Sequence, residues 1–234
     1  MTFTIVHLFP ELLGTYGDKG NVDLLAWRLA QREIANEVIE VGVNDIVPNS
    51  ADLYLLGGGE DDAQIAAMAK LIRQNTMRKI LEKGGHVFAV CAGLQILGES
   101  FPASGDRTVS GLDLLPLQTV SGASRSVGEV LLEPTFSSSP GARLTGFENH
   151  AGQTRFTDVL LPLGRVLRGV GNGLGSGVDG VVTPQIVGTY MHGPALVRNP
   201  DLADWILERK FGKLPELSAP IFDQLHKERI VASQ

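Results

Sequence analysis

The chain is poor in cysteine, in aromatic residues and in long apolar runs, and it carries no surplus of positive charge. A single cysteine, Cys91, cannot close an internal disulfide, which fits a reducing compartment and leaves a free thiol to be accounted for. Nowhere do roughly 18 uncharged apolar residues run together, so no membrane-spanning helix is expected. The N-terminal Met1-Thr2-Phe3-Thr4-Ile5-Val6-His7-Leu8 lacks the cationic start and apolar core of a secretory leader. A soluble, cytoplasmic protein is therefore expected. With a net charge of −6 and no basic cluster, the chain is not expected to bind nucleic acid. Low-complexity linkers and internal repeats are also missing, so residues 1–234 are read as one domain. The polar tail 215–234 is left as a docking segment or a frayed end.

What is present alternates. Phe3 to Phe9 reads as a β-strand, and the loop Gly14-Thr15-Tyr16-Gly17-Asp18-Lys19-Gly20-Asn21 leads to a helix through Asp23–Ala30, with Asn21 as its cap. Further strands are expected at Val38–Val43, at Ala51–Leu56 and at His86–Val90. A helix opening at Asp61 is expected to run to Lys83. Apolar strands alternating with helices predict an α/β fold with a mostly parallel central sheet covered by helices. After Phe101-Pro102 the runs shorten and are broken by glycine and proline. Val127–Leu132, Arg165–Val170 and Gly180–Val182 read as antiparallel strands added to that sheet, with Gly171-Asn172-Gly173 as a turn. Ile186–His192 reads as another strand, and Asn199-Pro200 opens an amphipathic helix through Trp205 to Lys210.

The stretch Gly85-His86-Val87-Phe88-Ala89-Val90-Cys91-Ala92-Gly93-Leu94-Gln95-Ile96-Leu97-Gly98 passes from strand to helix at the cysteine, with small residues on both sides of it. A sharp turn of that kind presents a nucleophile, and the following helix favours the thiolate. The competing reading is a small buried apolar residue. A thiolate needs a proton shuttle. Of five histidines, His192 ends a strand and precedes Gly193-Pro194, which places it at the carboxyl edge of the sheet, where sites form in open α/β folds. His150, in Gly146-Phe147-Glu148-Asn149-His150, is the second candidate or a loop residue, and His7, His86 and His226 receive no role. The backbone N–H groups of Ala92 and of Gly58, within Gly57-Gly58-Gly59, are candidate oxyanion donors. A phosphate cradle is disfavoured by Glu60-Asp61-Asp62, which puts three acids where a phosphate loop has lysine and a hydroxyl.

Taken in order, Gly58-Gly59, Val90-Cys91-Ala92-Gly93-Leu94-Gln95 and Tyr190-Met191-His192-Gly193 resemble a class I glutamine amidotransferase domain of the cobyric acid synthase type, which has a flavodoxin-like fold. Thr15–Asn21 and Gly146–His150 are similar to the glutaminase subunit of lipid II isoglutaminyl synthase. The resemblance implies hydrolysis of L-glutamine to L-glutamate and ammonia. It also implies transfer of the ammonia to a Mur-ligase-like partner in a heterodimer, where ATP and a divalent cation on the partner drive amidation of the D-glutamate of the lipid II stem peptide. Corrinoid amidation and a catalytically silent regulatory subunit are the alternatives. In the resemblance Cys91 attacks the carboxamide, His192 carries the proton and Arg125 holds the substrate carboxylate, with no cofactor or metal in this chain. Two positions depart from the pattern. Ala89 stands where glycine usually precedes the cysteine, and Pro194 stands where a glutamate usually orients the histidine. The third member of the triad is therefore expected from an acid of the partner subunit or from Glu148.

Overall fold

The computed structural model describes residues 2–104 and 107–233. In chain order the first half gives β1 (Phe3–Leu8), α1 (Lys19–Ala30), β2 (Asn36–Val41), β3 (Leu53–Leu56), α2 (Asp61–Gln74), α3 (Thr76–Glu82), β4 (His86–Val90) and α4 (Ala92–Leu97). Then follow β5 (Ser100–Ala103), β6 (Arg107–Ser110), β7 (Leu117–Pro134), β8 (Leu144–Phe156), β9 (Gly164–Arg168), β10 (Val178–Asp179), β11 (Val181–Val182) and β12 (Ile186–Thr189). The chain closes with α5 (Ala195–Arg198), α6 (Pro200–Phe211) and α7 (Pro220–Ala232).

The first sheet has the order β11-β12-β4-β3-β1-β2, and all its strands are parallel except β11. Every residue of β3 and β12 is buried, as expected of strands packed on both faces. At the far edge β2 has exposed side chains, Val38 and Ile39 among them. The chain first steps outward from β1 to β2 and then returns to the other side of β1 for β3. Its direction of travel thus reverses between β1 and β3, and in doubly wound sheets the crevice at that reversal is where ligands bind.

The later strands do not simply extend this sheet. Among the described residues only β11 adds an antiparallel strand to it, while β5 to β10 form a second sheet built around the long β7–β8 pair. Val127–Leu132 is one part of β7, an 18-residue strand. Pairing of β7 with β8 is interrupted between Ser121 and Ser126, a bulge that contains Arg125.

Several boundaries differ from the sequence reading for identifiable reasons. The expected helix from Asp61 to Lys83 is broken at Asn75, whose left-handed backbone (φ 47°, ψ 42°) separates α2 from α3. Asn21 is not a cap but lies inside α1, and its side-chain oxygen accepts from Leu196 N–H at 2.8 Å. β12 stops at Thr189, and His192 instead pairs its backbone with Phe147 of β8. Within the tail, Pro220–Ala232 is helical. It forms α7 against α5 and α6, where His226 Nδ1 lies 2.7 Å from the Arg198 carbonyl. Among the described residues no helix is long and apolar enough to cross a membrane.

Candidate active site

Four neighbouring strands, β1, β3, β4 and β12, end at the same edge of the first sheet, and the segment after each supplies one part of the site. After β4 comes Cys91, whose φ of 51° and ψ of −107° is a strained conformation for a residue with a side chain. Small neighbours make that turn possible. A Cβ on Gly93 would lie 2.6 Å from the Leu56 carbonyl oxygen, so no side chain fits there. The thiol is 6% exposed and contributes to the wall of a cleft of about 390 Å³. Helix α4, with six residues, is short for a macrodipole.

After β12 comes His192, 2% exposed. Its backbone is held by a reciprocal pair of hydrogen bonds with Phe147, of 2.8 and 3.0 Å. The Cys91 N–H donates to the Thr189 carbonyl at 2.8 Å, which ties the two strand ends together. Burial works against a charged His192 ring, but Asp18 and Cys91 outweigh it, and the imidazole is pushed up to about 10.

The acid beside that imidazole is Asp18, from the loop after β1. Its Oδ2 lies 3.6 Å from His192 Nδ1, and the residue is 3% exposed. Asp18 of this chain thus stands where an acid of the partner subunit or Glu148 was expected, and Glu148 is engaged elsewhere. The Glu148 carboxylate accepts from the Val170 and Gly171 N–H groups at 2.9 Å each and lies 3.7 Å from His150 Nε2. Pro194 lacks the carboxylate expected at its position, yet it helps to bring Asp18 in. A Cβ on Gly20 would lie 2.3 Å from Pro194 Cγ, so the bare glycine lets the loop after β1 settle on the loop after β12. Asn21 and Leu196 fasten the same contact.

The glycines after β3 fit by necessity. A Cβ on Gly57 would lie 1.9 Å from the Leu13 carbonyl oxygen, and one on Gly58 would lie 2.5 Å from His192 Cε1. The Gly58 N–H, expected as an oxyanion donor, instead donates to Asp18 Oδ2 at 2.7 Å. That hydrogen bond anchors the acid and takes the amide away from the cleft. Gly59, one residue on, lines the cleft, as does Ala92, the first residue of α4, whose N–H has no intrahelical acceptor.

Arg125 reaches the cleft from the bulge in β7. Its guanidinium donates to Asn149 Oδ1 at 2.5 Å and to the Tyr16 hydroxyl at 3.0 Å. Tyr16 donates in turn to Glu60 Oε1 at 2.8 Å, and its ring lies against the His192 ring with centroids 4.6 Å apart. Burial and the Glu60 carboxylate raise the Tyr16 phenol above its ordinary range. Behind the cleft, Gln95 donates to the Tyr190 hydroxyl at 3.0 Å, and the hydroxyls of Tyr190 and Thr154 are 2.6 Å apart. His150 also lines the cleft, but its Nδ1 is engaged by the Gly152 carbonyl at 2.9 Å. Among the described residues no group of three or more His, Cys, Asp or Glu is arranged to hold a metal ion.

Asp18, Tyr16 and Glu60 join the site without having been expected there from sequence. Asp18 carried a usable signal, being an acid in a glycine-rich loop after the first strand, at the edge where Cys91 and His192 were already expected.

A buried thiol on a strained turn beside a carboxylate-paired imidazole, with an arginine across the cleft, is suited to acyl transfer from a small anionic substrate. Residues 4–200 match the CobB/CobQ-like glutamine amidotransferase domain, and the chain belongs to that family and is a glutamine amidotransferase. The lipid II isoglutaminyl synthase (glutamine-hydrolyzing) subunit GatD of Staphylococcus aureus (strain N315) is 32% identical over 208 residues, spanning 88% of this chain and 83% of the relative. The subunit of the same name from Streptococcus pneumoniae (strain ATCC BAA-255 / R6) is 29% identical over 234 residues, spanning 97% and 88%. Cobyric acid synthase of Brucella abortus (strain S19) is 32% identical over 171 residues, 69% of this chain but 33% of that protein. A crystal structure of a glutamine amidotransferase shares the fold, with a TM-score of 0.59 at 19% identity over 87% of this chain and 97% of the other.

Proposed function

We propose that this chain is the glutaminase subunit of a cytoplasmic, two-subunit lipid II isoglutaminyl synthase. It hydrolyses L-glutamine to L-glutamate and ammonia, and a Mur-ligase-like partner, using ATP and a divalent cation, adds the ammonia to the D-glutamate of the stem peptide. The observation that carries the reading is the Cys91–His192–Asp18 arrangement at one sheet edge, in a chain whose GatD relatives match it over nearly their full length. Cobyric acid synthase is favoured less, because its match spans 69% of this chain against 88% and 97% for the GatD subunits.

In this reading the Cys91 thiolate attacks the carboxamide carbon of glutamine, with Arg125 pairing the α-carboxylate. The backbone N–H of Ala92 receives the developing oxyanion, and Gly59 takes the second place first assigned to Gly58. His192 gives its proton to the leaving nitrogen, so ammonia departs and a thioester remains. Water then attacks the thioester and passes a proton to His192. Glutamate leaves and the thiolate–imidazolium pair is restored. Asp18 fixes the imidazole by its Nδ1 face and stabilises its charge.

The test compares the complex containing Cys91→Ser with wild type. Glutamate release should fall to background while amidation with added ammonium salts continues. Failure with ammonium as well would refute the division of labour. Treatment with a diazo-ketone glutamine analogue should label wild-type protein once, at Cys91.

A further inference from the structure

Glu60, Tyr16 and Arg125 form a chain of three side chains along one wall of the cleft, and the mechanism above uses only the arginine. Glu60 and Arg125 carry opposite charges and share a single atom between them, the Tyr16 hydroxyl, at 2.8 and 3.0 Å. All three line the cleft that Cys91 lines. Glu60 is exposed, so its carboxylate has lone pairs beyond the one that Tyr16 engages. A free α-amino acid carries a carboxylate and an ammonium on one carbon. A cleft wall with a cation and an anion separated by one oxygen offers each of them a partner of opposite sign.

We propose that Glu60 is the binding site for the α-ammonium of the substrate, with Tyr16 as the positioning residue that spaces it from Arg125. The inference rests on the glutamine-hydrolysing reading and narrows it, since the site selects the free zwitterionic amino acid over a carboxamide that lacks an α-ammonium. A glutaminyl residue inside a peptide, whose nitrogen is an uncharged amide, is excluded on the same ground. Asp61 and Asp62 also border the cleft, but Asp61 accepts from Ser104 at 3.0 Å and neither is joined to Arg125. Because the Tyr16 ring also rests against His192, seating of the amino-acid head group is coupled to the position of the imidazole.

The test is calorimetric and uses the full chain carrying Cys91→Ser, so that substrate is not consumed. Binding of L-glutamine is compared with that of 4-carbamoylbutanoate, which is glutamine without its amino group. The parent should prefer glutamine by about tenfold to a hundredfold, as one charge-assisted hydrogen bond supplies. Adding Glu60→Gln, which keeps an acceptor for Tyr16 but removes the charge, should reduce that preference to less than about threefold while leaving 4-carbamoylbutanoate bound as before. Equal weakening of both ligands, or an undiminished preference, overturns the assignment. In turnover by the complex, Tyr16→Phe should raise KM for glutamine and spare kcat, because the ring stays on His192 and only the hydroxyl bridge is lost. A fall in kcat with KM unchanged overturns the spacing role. Wild-type complex that binds glutamine but releases no glutamate would fail the broader reading while leaving this one standing, and protein that binds neither ligand would fail both.

Discussion

The side chain whose removal is most informative is Asp18. Its carboxylate is shared between His192 Nδ1, at 3.6 Å, and the Gly58 N–H, at 2.7 Å. Asp18→Asn keeps the volume and removes the charge. Glutamine turnover by the complex should fall by up to about four decades, the loss that follows when a triad loses its acid. The sign of the pH effect is fixed. His192 must be protonated to release ammonia, and Asp18 is one of the two groups that hold its ring up to about 10. Without the acid, the alkaline limb of the kcat/KM profile should move to lower pH. The same charge stabilises the folded wild-type chain fully below the ordinary histidine range, about pH 6.5, and its contribution is lost as pH rises through about 10. An alkaline limb that stays in place in the variant would show that Asp18 does not govern this imidazole.

Local elements explain both what could be read ahead of the structure and what could not. Parallel strands such as β3 and β4 are continuous apolar runs, and Cys91 announces itself by the small residues around it, so that half of the site was legible. β8 was not. Its buried positions include Glu148, His150, Gly152 and Thr154, so the inward face is the polar one and the usual alternation is inverted. Asp18 shows in the sequence only as an acid in a glycine-rich loop, and its pairing with His192 depends on the long-range contact of Gly20 with Pro194. The Gly58 N–H is expected from sequence to face an oxyanion, yet it donates to Asp18 Oδ2, since sequence cannot say where an amide points. The fastening of α1 to α5 gives a test at this scale. Asn21→Ala removes the acceptor for the Leu196 N–H and should destabilise the chain by about 1–3 kcal/mol in urea unfolding. Turnover should drop further than stability requires, because the loop bearing Asp18 loses its hold beside His192. Unfolding midpoints and kcat that both match wild type would show that the contact carries no strain.

Across the molecule, the two sheets are joined by Asp179. From β10 its carboxylate accepts from the Thr189 hydroxyl at 2.6 Å and from the Tyr190 N–H at 3.1 Å, gripping the end of β12 just before His192. Burial raises this carboxyl to about 6, although both hydrogen bonds oppose the rise. A carboxyl raised above its unfolded value, about 3.9, binds its proton more readily in the folded chain. Stability should therefore decline as pH rises from about 4 to about 6, because ionisation of a fully buried carboxyl is costly. Asp179→Asn should lack that decline, which urea midpoints taken across the interval for both proteins will reveal. Parallel pH curves for the two would mean that Asp179 titrates as an ordinary carboxyl.

The thiol of Cys91 is the sole sulfhydryl of the chain, 6% exposed at the wall of its cleft. Each molecule can thus accept one covalent tag, and access is rationed by size. Iodoacetamide should outpace bulky aromatic disulfides, and bound glutamine should slow both. A mass shift of one adduct, followed against time and ligand, then becomes a direct occupancy gauge in the native complex without any engineered reporter.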